Sequence, residues 1–417
     1  MQNKKILIIS HNPLSKVNNN GKTLVSIFKG VPSDNIYQLY LNADIPDYNE
    51  NCHYVQLNEH QILHSIVHRN NVCCQQIEPN AEKISSANIK TSSFGIHTKR
   101  LLREAVWKTG VWKSAFKKWL SDKYFDVVFC MAGDGLFAYD IYSFVLEHTN
   151  AKGCLFFTDD YILGKTSNSP VASLRRYLLK GKIRKTLPLT KDLYVISEEM
   201  KEAYRKLFNK EGFVIRNFSV EKSVIPDADT KENLSIVYAG GLHYNRWKVL
   251  SKVASAIKEI NEESSVQCLL KIYSAQRISD EIISQTVIEG ASLFCGGASA
   301  EEIANIYASA DILLHVESSD KKAVASTKYS FSTKIPEYLS AGKCVLAIGP
   351  SELASIKYLI DVACVVSDET ELKSKLKNTI LDTEYRNTIR INCEKQFEKD
   401  FSEKKQTECL KHILSIP

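Results

Sequence analysis

The chain is expected to adopt an α/β fold of two doubly wound, parallel-sheet domains, and three observations carry that expectation. Its 417 residues exceed what one ordinary core organises. Short apolar runs alternate with helical patterns through most of the sequence, as in sheets whose strands are joined by helices. A polar stretch from Asn217 to Asn233, holding Pro226 and Asp/Glu-rich turns, separates two such series. Apolar residues make up 44% and charged residues 24% of the chain, a globular composition that excludes disorder.

In chain order, the first series predicts strands at Ile6–Ile9, Ile36–Leu41, Val127–Cys130, Cys154–Phe157 and Leu193–Ile196. The second predicts strands at Leu234–Ala239, Leu269–Tyr273, Ser292–Cys295, Ile312–Val316, Val345–Ile348 and Val362–Val366. A helix is clearest at 299–310. Ser299 and Glu302 form a capping box there, and Ile303, Ile306, Tyr307 and Ala310 share one face. The expected boundaries are a first domain over 1–217, a linker over 218–233, a second domain over 234–384 and closing helices over 385–417. No repeat of 20–50 residues occurs, which excludes a solenoid.

The net charge of +6 is modest, and the basic stretches carry no nucleic-acid readout motif. Eleven cysteines show neither a C-x-x-C pair nor zinc spacing. Cys130, Cys154 and Cys344 lie within apolar runs and read as small buried hydrophobes, a usage that fits a reducing cytoplasm. The first residues, Met-Gln-Asn-Lys-Lys-Ile-Leu-Ile-Ile-Ser, hold an apolar run too short for a signal peptide. No uncharged apolar stretch reaches the ~18 residues of a membrane span.

Residues 330–350 are the most informative. Ser332 or Thr333 reads as an N-cap, Pro336 falls in the first helical turn, and Gly342 ends a short helix. Lys334 is out of place, because a cation in the first turn opposes a macrodipole that favours anions by roughly 0.3–1 kcal/mol. A phosphate bound by the free N–H groups, a hydroxyl and the lysine resolves that conflict. Glu337 then accepts hydrogen bonds from ribose hydroxyls. A solvated lysine on an ordinary helix is the other reading of the same residues.

This stretch resembles the donor-site segment of GT-B glycosyltransferases, in particular the retaining family 4, the "glycosyl transferases group 1" type. There the pattern Ser/Thr-Lys-x-x-Glu-Tyr-Leu-Ala-x-Gly-x-Pro-Val holds the nucleotide diphosphate of an activated sugar, and Ser340 and Cys344 depart from it here. The resemblance implies two Rossmann-like domains with an interdomain cleft, an acceptor-side first domain, a nucleotide-sugar-binding second domain and a terminal helix that crosses back. It implies transfer of a sugar from a nucleotide-diphosphate sugar to an acceptor hydroxyl, without cofactor or metal.

The remaining candidate sites each admit a local reading and one implied by the resemblance. Asn18-Asn19-Asn20-Gly21-Lys22-Thr23 follows the first strand, but the P-loop needs a glycine where Lys16 stands. Gly21 is therefore either part of a ligand-facing loop, as in GT-B enzymes, or plain turn chemistry. Tyr238-Ala-Gly-Gly-Leu-His-Tyr-Asn-Arg-Trp-Lys is similar to the family's Gly-Arg-Leu…Lys-Gly segment. Gly241 stands where that arginine is common, Arg246 stands where the diphosphate-clamping lysine is common, and Lys248 is a second candidate. Gly297, in Cys295-Gly296-Gly297, is implied to approach the nucleobase through its backbone. Of the family's Glu-x7-Glu pair, Glu337 matches the second member while Tyr329 occupies the first; either Glu317 supplies that carboxylate or its function is lost. Asp159 and Asp160, ending Phe156-Phe157-Thr158, stand near the family's usual histidine as catalytic candidates that orient sugar hydroxyls, or else they cap the next segment.

Two basic stretches carry aromatic or aliphatic residues. Lys99–Leu120, with Trp107, Trp112 and Trp119, reads as a core-facing helix with solvated lysines. Arg175–Lys185 has six Lys/Arg in eleven positions and reads as a surface for anionic lipid, at roughly 1 kcal/mol per basic residue. The expected protein is thus a cytoplasmic glycosyltransferase at the inner face of the membrane, working on a glycan or lipid-linked acceptor of a bacterial surface polysaccharide. A GT-B-like sugar-nucleotide epimerase and a non-catalytic GT-B partner protein are the alternatives.

Overall fold

A computed structural model describes residues 3–16, 19–49, 51–68, 73–79, 93–164, 169–218 and 233–415. They form two compact units. One holds the described residues of 1–163, 167–219 and 406–417; the other holds those of 164–166 and 220–405. Most of the expected linker, 219–232, lies outside the described residues.

The first unit runs β1 (Ile6–Ser10), α1 (Asn19–Ile27), β2 (Ile36–Tyr40), β3 (His53–Gln56), α2 (Glu59–His68), β4 (Gln75–Ile77), α3 (Ser93–Lys108) and α4 (Trp112–Leu120). It continues through β5 (Val127–Ala132), α5 (Leu136–Glu147), β6 (Lys152–Phe157), α6 (Pro170–Thr186), β7 (Asp192–Val195), α7 (Glu198–Phe208) and β8 (Gly212–Val214). Its sheet has the order β4-β3-β2-β1-β5-β6-β7-β8, parallel except for the β3–β4 pair. Ile6 to Ile9 are fully buried, which is why β1 reads as an unbroken apolar run rather than an alternating one. The chain turns from β1 to β2 and β3 on one side and resumes at β5 on the other. The β1/β5 boundary is therefore the switch point, where the carboxyl ends of such strands leave a crevice.

The second unit runs β9 (Asn233–Ala239), α8 (Arg246–Glu263), β10 (Gln267–Tyr273), α9 (Asp280–Thr286), β11 (Ser292–Gly296), α10 (Ala300–Ser309) and β12 (Ile312–Val316). Then come α11 (Lys321–Thr327), α12 (Lys334–Ser340), β13 (Cys344–Ile348), α13 (Ala354–Leu359), β14 (Cys364–Val366), α14 (Leu372–Leu381), α15 (Thr383–Phe401) and α16 (Glu403–Leu414). All six strands are parallel, in the order β11-β10-β9-β12-β13-β14, with the switch point between β9 and β12.

Every strand expected from an apolar run is present, within two residues at either end. The capping box at Ser299/Glu302 forms in both directions: Glu302 N–H donates to Ser299 Oγ at 3.3 Å, and Ser299 N–H donates to the Glu302 carboxylate at 2.7 Å. Sequence reasoning missed β3, β4 and β8, which are three or four residues long and lie toward or at the sheet's edges. So short a run carries too little apolar periodicity to register.

Two expectations are corrected. The closing helices do not all return to the first unit. α15 packs Ile389, Cys393, Phe397 and Phe401 into the second core. Only α16, from Gln406 onward, joins the first, where Leu410, Ile413 and Leu414 are buried. Lys99–Leu120 is also not one helix, because Gly110, at φ +70°, breaks it between α3 and α4. Its aromatic stripe does face inward, with Trp107 and Trp112 buried.

Candidate functional site

In the second unit, Gly241 and Arg246 follow the carboxyl end of β9 and Glu317 that of β12, while Gly297 follows β11 and Lys334 opens α12. The chain leaves β9 through Gly240 and Gly241, where Tyr238 Oη donates to the Gly241 carbonyl at 2.7 Å. A Cβ on Gly241 would lie 2.4 Å from His243 Nδ1, so glycine lets this turn fold back on itself. Tyr244 and Asn245 follow with φ of 59° and 62°, and Arg246 opens α8. Its guanidinium does not point into solvent: an NH2 group donates to Glu317 Oε2 at 2.7 Å. Glu317 directly follows β12 and is 5% exposed. A Cβ at Gly349 would come within 2.8 Å of the Glu317 Cβ, so the Gly349-Pro350 turn makes room for this carboxylate.

Burial by itself would raise the Glu317 carboxyl; contact with His315 and the Arg246 guanidinium outweigh it and hold the carboxyl at about 2. His315 Nε2 lies 3.4 Å from Glu317 Oε1, a long contact beside the shorter Arg246 bond. Glu317 is thus engaged in aligning Arg246. Lys248, the second cation considered, is exposed, its Nζ 5.5 Å from the Trp247 ring centre.

Lys334 is the first residue of α12, with Thr333 at the N-cap position. Thr333 makes no side-chain cap. Ser332 Oγ instead accepts from Lys334 N–H at 3.3 Å, and Ser332 N–H donates to Ser355 Oγ at 3.0 Å. Gly342, at φ +60°, ends the helix as expected. Lys334 Nζ lies 3.2 Å from Glu337 Oε2, which Tyr307 Oη also approaches at 3.5 Å. Neighbouring Tyr338 places its Oη 3.4 Å from the Ala239 N–H, tying α12 to the end of β9. Gly297 lies just past β11, and a Cβ there would lie 3.3 Å from the Ala275 Cα.

The first-unit candidates fare differently. Gly21 sits in the first turn of α1, and a side chain there would meet the Pro13 carbonyl at 2.5 Å and Ser15 N at 2.6 Å. That glycine serves the packing of its own loop. Asp160 makes the contacts of the capping reading. Its carboxylate accepts from Ile162 N–H, Leu163 N–H and Tyr204 Oη at 3.0–3.2 Å, capping the turn after β6. Asp159 Oδ1 accepts from Asp160 N–H at 2.9 Å in the same turn.

What sequence reasoning missed is a cavity of about 160 Å³ at the β1/β5 switch point. His11, Arg103, Asp134, Thr158 and Tyr161 line it. Arg103 is anchored by an ion pair to Glu59 and lies 4.6 Å over the Phe137 ring centre. Its NH2 group is 3.5 Å from His11 Nδ1. His11 is exposed by surface area, yet the protein packed around its imidazole and the facing Arg103 lower its pKa below the ordinary 6.5. The available signal was positional: His11 directly follows β1 and Asp134 comes two residues after the end of β5, the strands that flank the switch point. Among the described residues, no three His, Cys, Asp or Glu side chains are grouped to hold a metal ion.

No family model matches the chain, and no curated protein matches it. Solved structures do. One described as trehalose-6-phosphate from E. coli bound with UDP-2-fluoro glucose aligns over 99% of this chain and 100% of its own, at 10% identity and TM-score 0.62. Anabaena Alr3699/HepE in complex with UDP and glucose aligns over 98% of both chains, at 13% identity and TM-score 0.58. An α,α-trehalose-phosphate synthase (UDP-forming) from Burkholderia xenovorans, in complex with glucose-6-phosphate, aligns over 99% and 100%, at 11% identity and TM-score 0.56. At these identities the likeness establishes the fold. The chain has the GT-B architecture of two Rossmann-like units.

Proposed function

We propose that this chain is a glycosyltransferase that moves a sugar from a nucleotide-diphosphate sugar to an acceptor hydroxyl, with a metal-independent donor site in the second unit. The observation that carries the reading is that two helix-start cations are each held by a carboxylate: Arg246, which opens α8 after β9, on Glu317, and Lys334, which opens α12, on Glu337. Breaking the glycosidic bond builds negative charge on the leaving diphosphate, and fixed cations stabilise that charge more than the ground state. The seven-residue α12 is too short for its dipole to carry the effect, so the weight falls on the side chains. Ser332, Thr333 and the backbone of Gly241 and Gly297 supply further donors, and Glu337 Oε1 is left to accept from ribose hydroxyls. Neighbouring structures that hold UDP or a UDP-sugar agree with this assignment.

Thermal-shift measurements with UDP, GDP, ADP and CMP test it. A ligand at ~100 times its Kd stabilises by about 2.7 kcal/mol. At least one nucleotide is expected to raise the melting temperature. Lys334→Ala removes a charge-assisted contact of about 1.5–3 kcal/mol and weakens that nucleotide roughly 10–150-fold. A wild-type chain that responds to no nucleotide sinks the reading.

The proposal extends to a lipid-linked acceptor of a surface polysaccharide, used at the inner face of the cell membrane. α6 supports it. Its buried face is Ala172, Leu179, Ile183 and Thr186, yet Val171, Leu174, Tyr177 and Leu178 are exposed on the opposite side, flanked by Lys/Arg. Such a face suits an anionic interface. All eleven cysteines are free thiols, in keeping with a reducing compartment. Among the described residues, no helix is long and apolar enough to cross a membrane. Co-sedimentation with phosphatidylglycerol-containing vesicles is expected, falling at least ten-fold in the Leu174→Glu, Tyr177→Glu double variant. Equal recovery of both proteins would remove the membrane extension and leave the transferase reading standing.

A further inference from the structure

His243 lies between two hydrogen-bond donors, and a neutral imidazole can accept from only one of them. Gln276, in the loop after β10, places its amide nitrogen 3.0 Å from Nδ1, and Arg246 places NH1 3.3 Å from Nε2. An arginine only donates. The Gln276 amide is fixed too, because its oxygen accepts from the Leu242 N–H at 2.8 Å. Turning that amide over would set two donors against each other at Leu242. A Cβ at Gly241 would lie 2.4 Å from Nδ1 and 3.1 Å from the Gln276 nitrogen, so the glycine leaves the space that this contact fills. Nδ1 therefore accepts from Gln276, and Nε2 carries the proton. The groups facing the ring are Arg246 on α8, Gln276 after β10 and Glu317 after β12, with the Tyr244 ring centre 4.7 Å away. Packing around the imidazole and the Arg246 charge outweigh Glu317 and lower its pKa below the ordinary 6.5, so the ring is neutral at neutral pH.

That tautomer aims two donors at each other. His243 Nε2–H and Arg246 NH1 stand 3.3 Å apart, and among the described residues no oxygen accepts from either. One oxygen at about 2.9 Å from each nitrogen would complete both bonds. The guanidinium makes an anionic oxygen the favoured occupant. Arg246 cannot turn away, since its NH2 group is bonded to Glu317 at 2.7 Å. We propose that His243 Nε2–H and Arg246 NH1 together bind one phosphate oxygen of the nucleotide, and that Gln276 is the positioning residue that fixes His243 as their uncharged member. The proposal rests on the nucleotide-binding reading above and adds two residues to it. The relay runs from Leu242 N–H to Gln276, from Gln276 to His243 and from His243 to the ligand, all within the second unit. A neutral donor of this kind binds phosphate without first taking up a proton.

Long-range ¹H–¹⁵N NMR of the full chain at pH 7.5 reads the tautomer. His243 is expected to carry a proton on Nε2 and none on Nδ1. In Gln276→Glu the carboxylate still accepts from Leu242 N–H but offers Nδ1 no donor, so Nδ1 is expected to gain a proton. A wild-type ring protonated on Nδ1, or a Gln276→Glu ring in the wild-type state, overturns the positioning role. Calorimetric titration with UDP, GDP, ADP and CMP reads the contact. His243 is exposed, so truncating it leaves the fold intact. The nucleotide that binds wild type is expected to bind His243→Ala at least five-fold more weakly. His243→Gln, which keeps an amide N–H at the same reach, is expected to return to within two-fold of wild type. A smaller loss in the alanine variant, or a glutamine variant that binds no tighter than alanine, overturns the contact and leaves the donor-site reading standing. A wild-type chain that binds none of the four nucleotides overturns both.

Discussion

Replacing Glu317 by alanine is expected to lower the melting temperature of the second unit by roughly 6–20 °C. The carboxylate is 5% exposed and bonded to Arg246, whose side chain is 16% exposed. Removing one member of a buried ion pair strands the other charge in a poor solvent, at about 3–5 kcal/mol. In a unit of this size, 1 kcal/mol corresponds to roughly 2–4 °C. The pH dependence fixes the cause. A carboxyl held at about 2 in the folded state, against an ordinary 4.5, stabilises fully above 4.5 and loses that contribution as pH falls toward 2. The gap between wild type and Glu317→Ala, read by calorimetry, should be largest at neutral pH and shrink over that acid range. A gap independent of pH would mean that the loss comes from packing, and that Arg246 needs no carboxylate to hold it.

Lys152→Ala is expected to be as costly to the first unit, again by roughly 6–20 °C. Lys152 begins β6, its side chain is 5% exposed, and Nζ pairs with Asp192 at 2.6 Å. The same amine donates to the carbonyls of His412, Ile413 and Ser415 at 2.8–3.2 Å. These belong to the end of α16, where helix carbonyls have no intrahelical donor and a cation complements the dipole. Its loss leaves Asp192 without this cation and takes a donor from three carbonyls, of which only that of His412 keeps another, the Ser415 hydroxyl at 2.7 Å. Amide exchange in α16 should accelerate ahead of the β5 and β6 core. Lys152→Met, which restores most of the stem's packing, should recover little. If methionine rescues fully, the charge contributes nothing and the anchor is apolar.

The elements most legible in the sequence are those whose cause is local. A strand covered on both faces needs an unbroken apolar run, so β1, β5, β6, β9, β12 and β13 stood out. The capping box and Gly342 are signals within four residues of the helix end they define. Lys334 and Arg246 were singled out correctly as cations at helix starts. Asp160 stayed open between two readings because a turn-capping aspartate and a ligand-facing one look alike in one dimension.

The sequence alone determined where the long buried strands fall, where the capped helix α10 starts and which cations open α8 and α12, because those depend on neighbours a few positions away. Only the tertiary structure decided that Arg246 is held by Glu317, 71 residues distant, and that His11, Arg103 and Asp134 share one cavity. Such partners meet because parallel strands bring their carboxyl ends to one edge of the sheet. The spacing between those ends along the chain is set by crossover helices of unrelated length, so no local pattern records it.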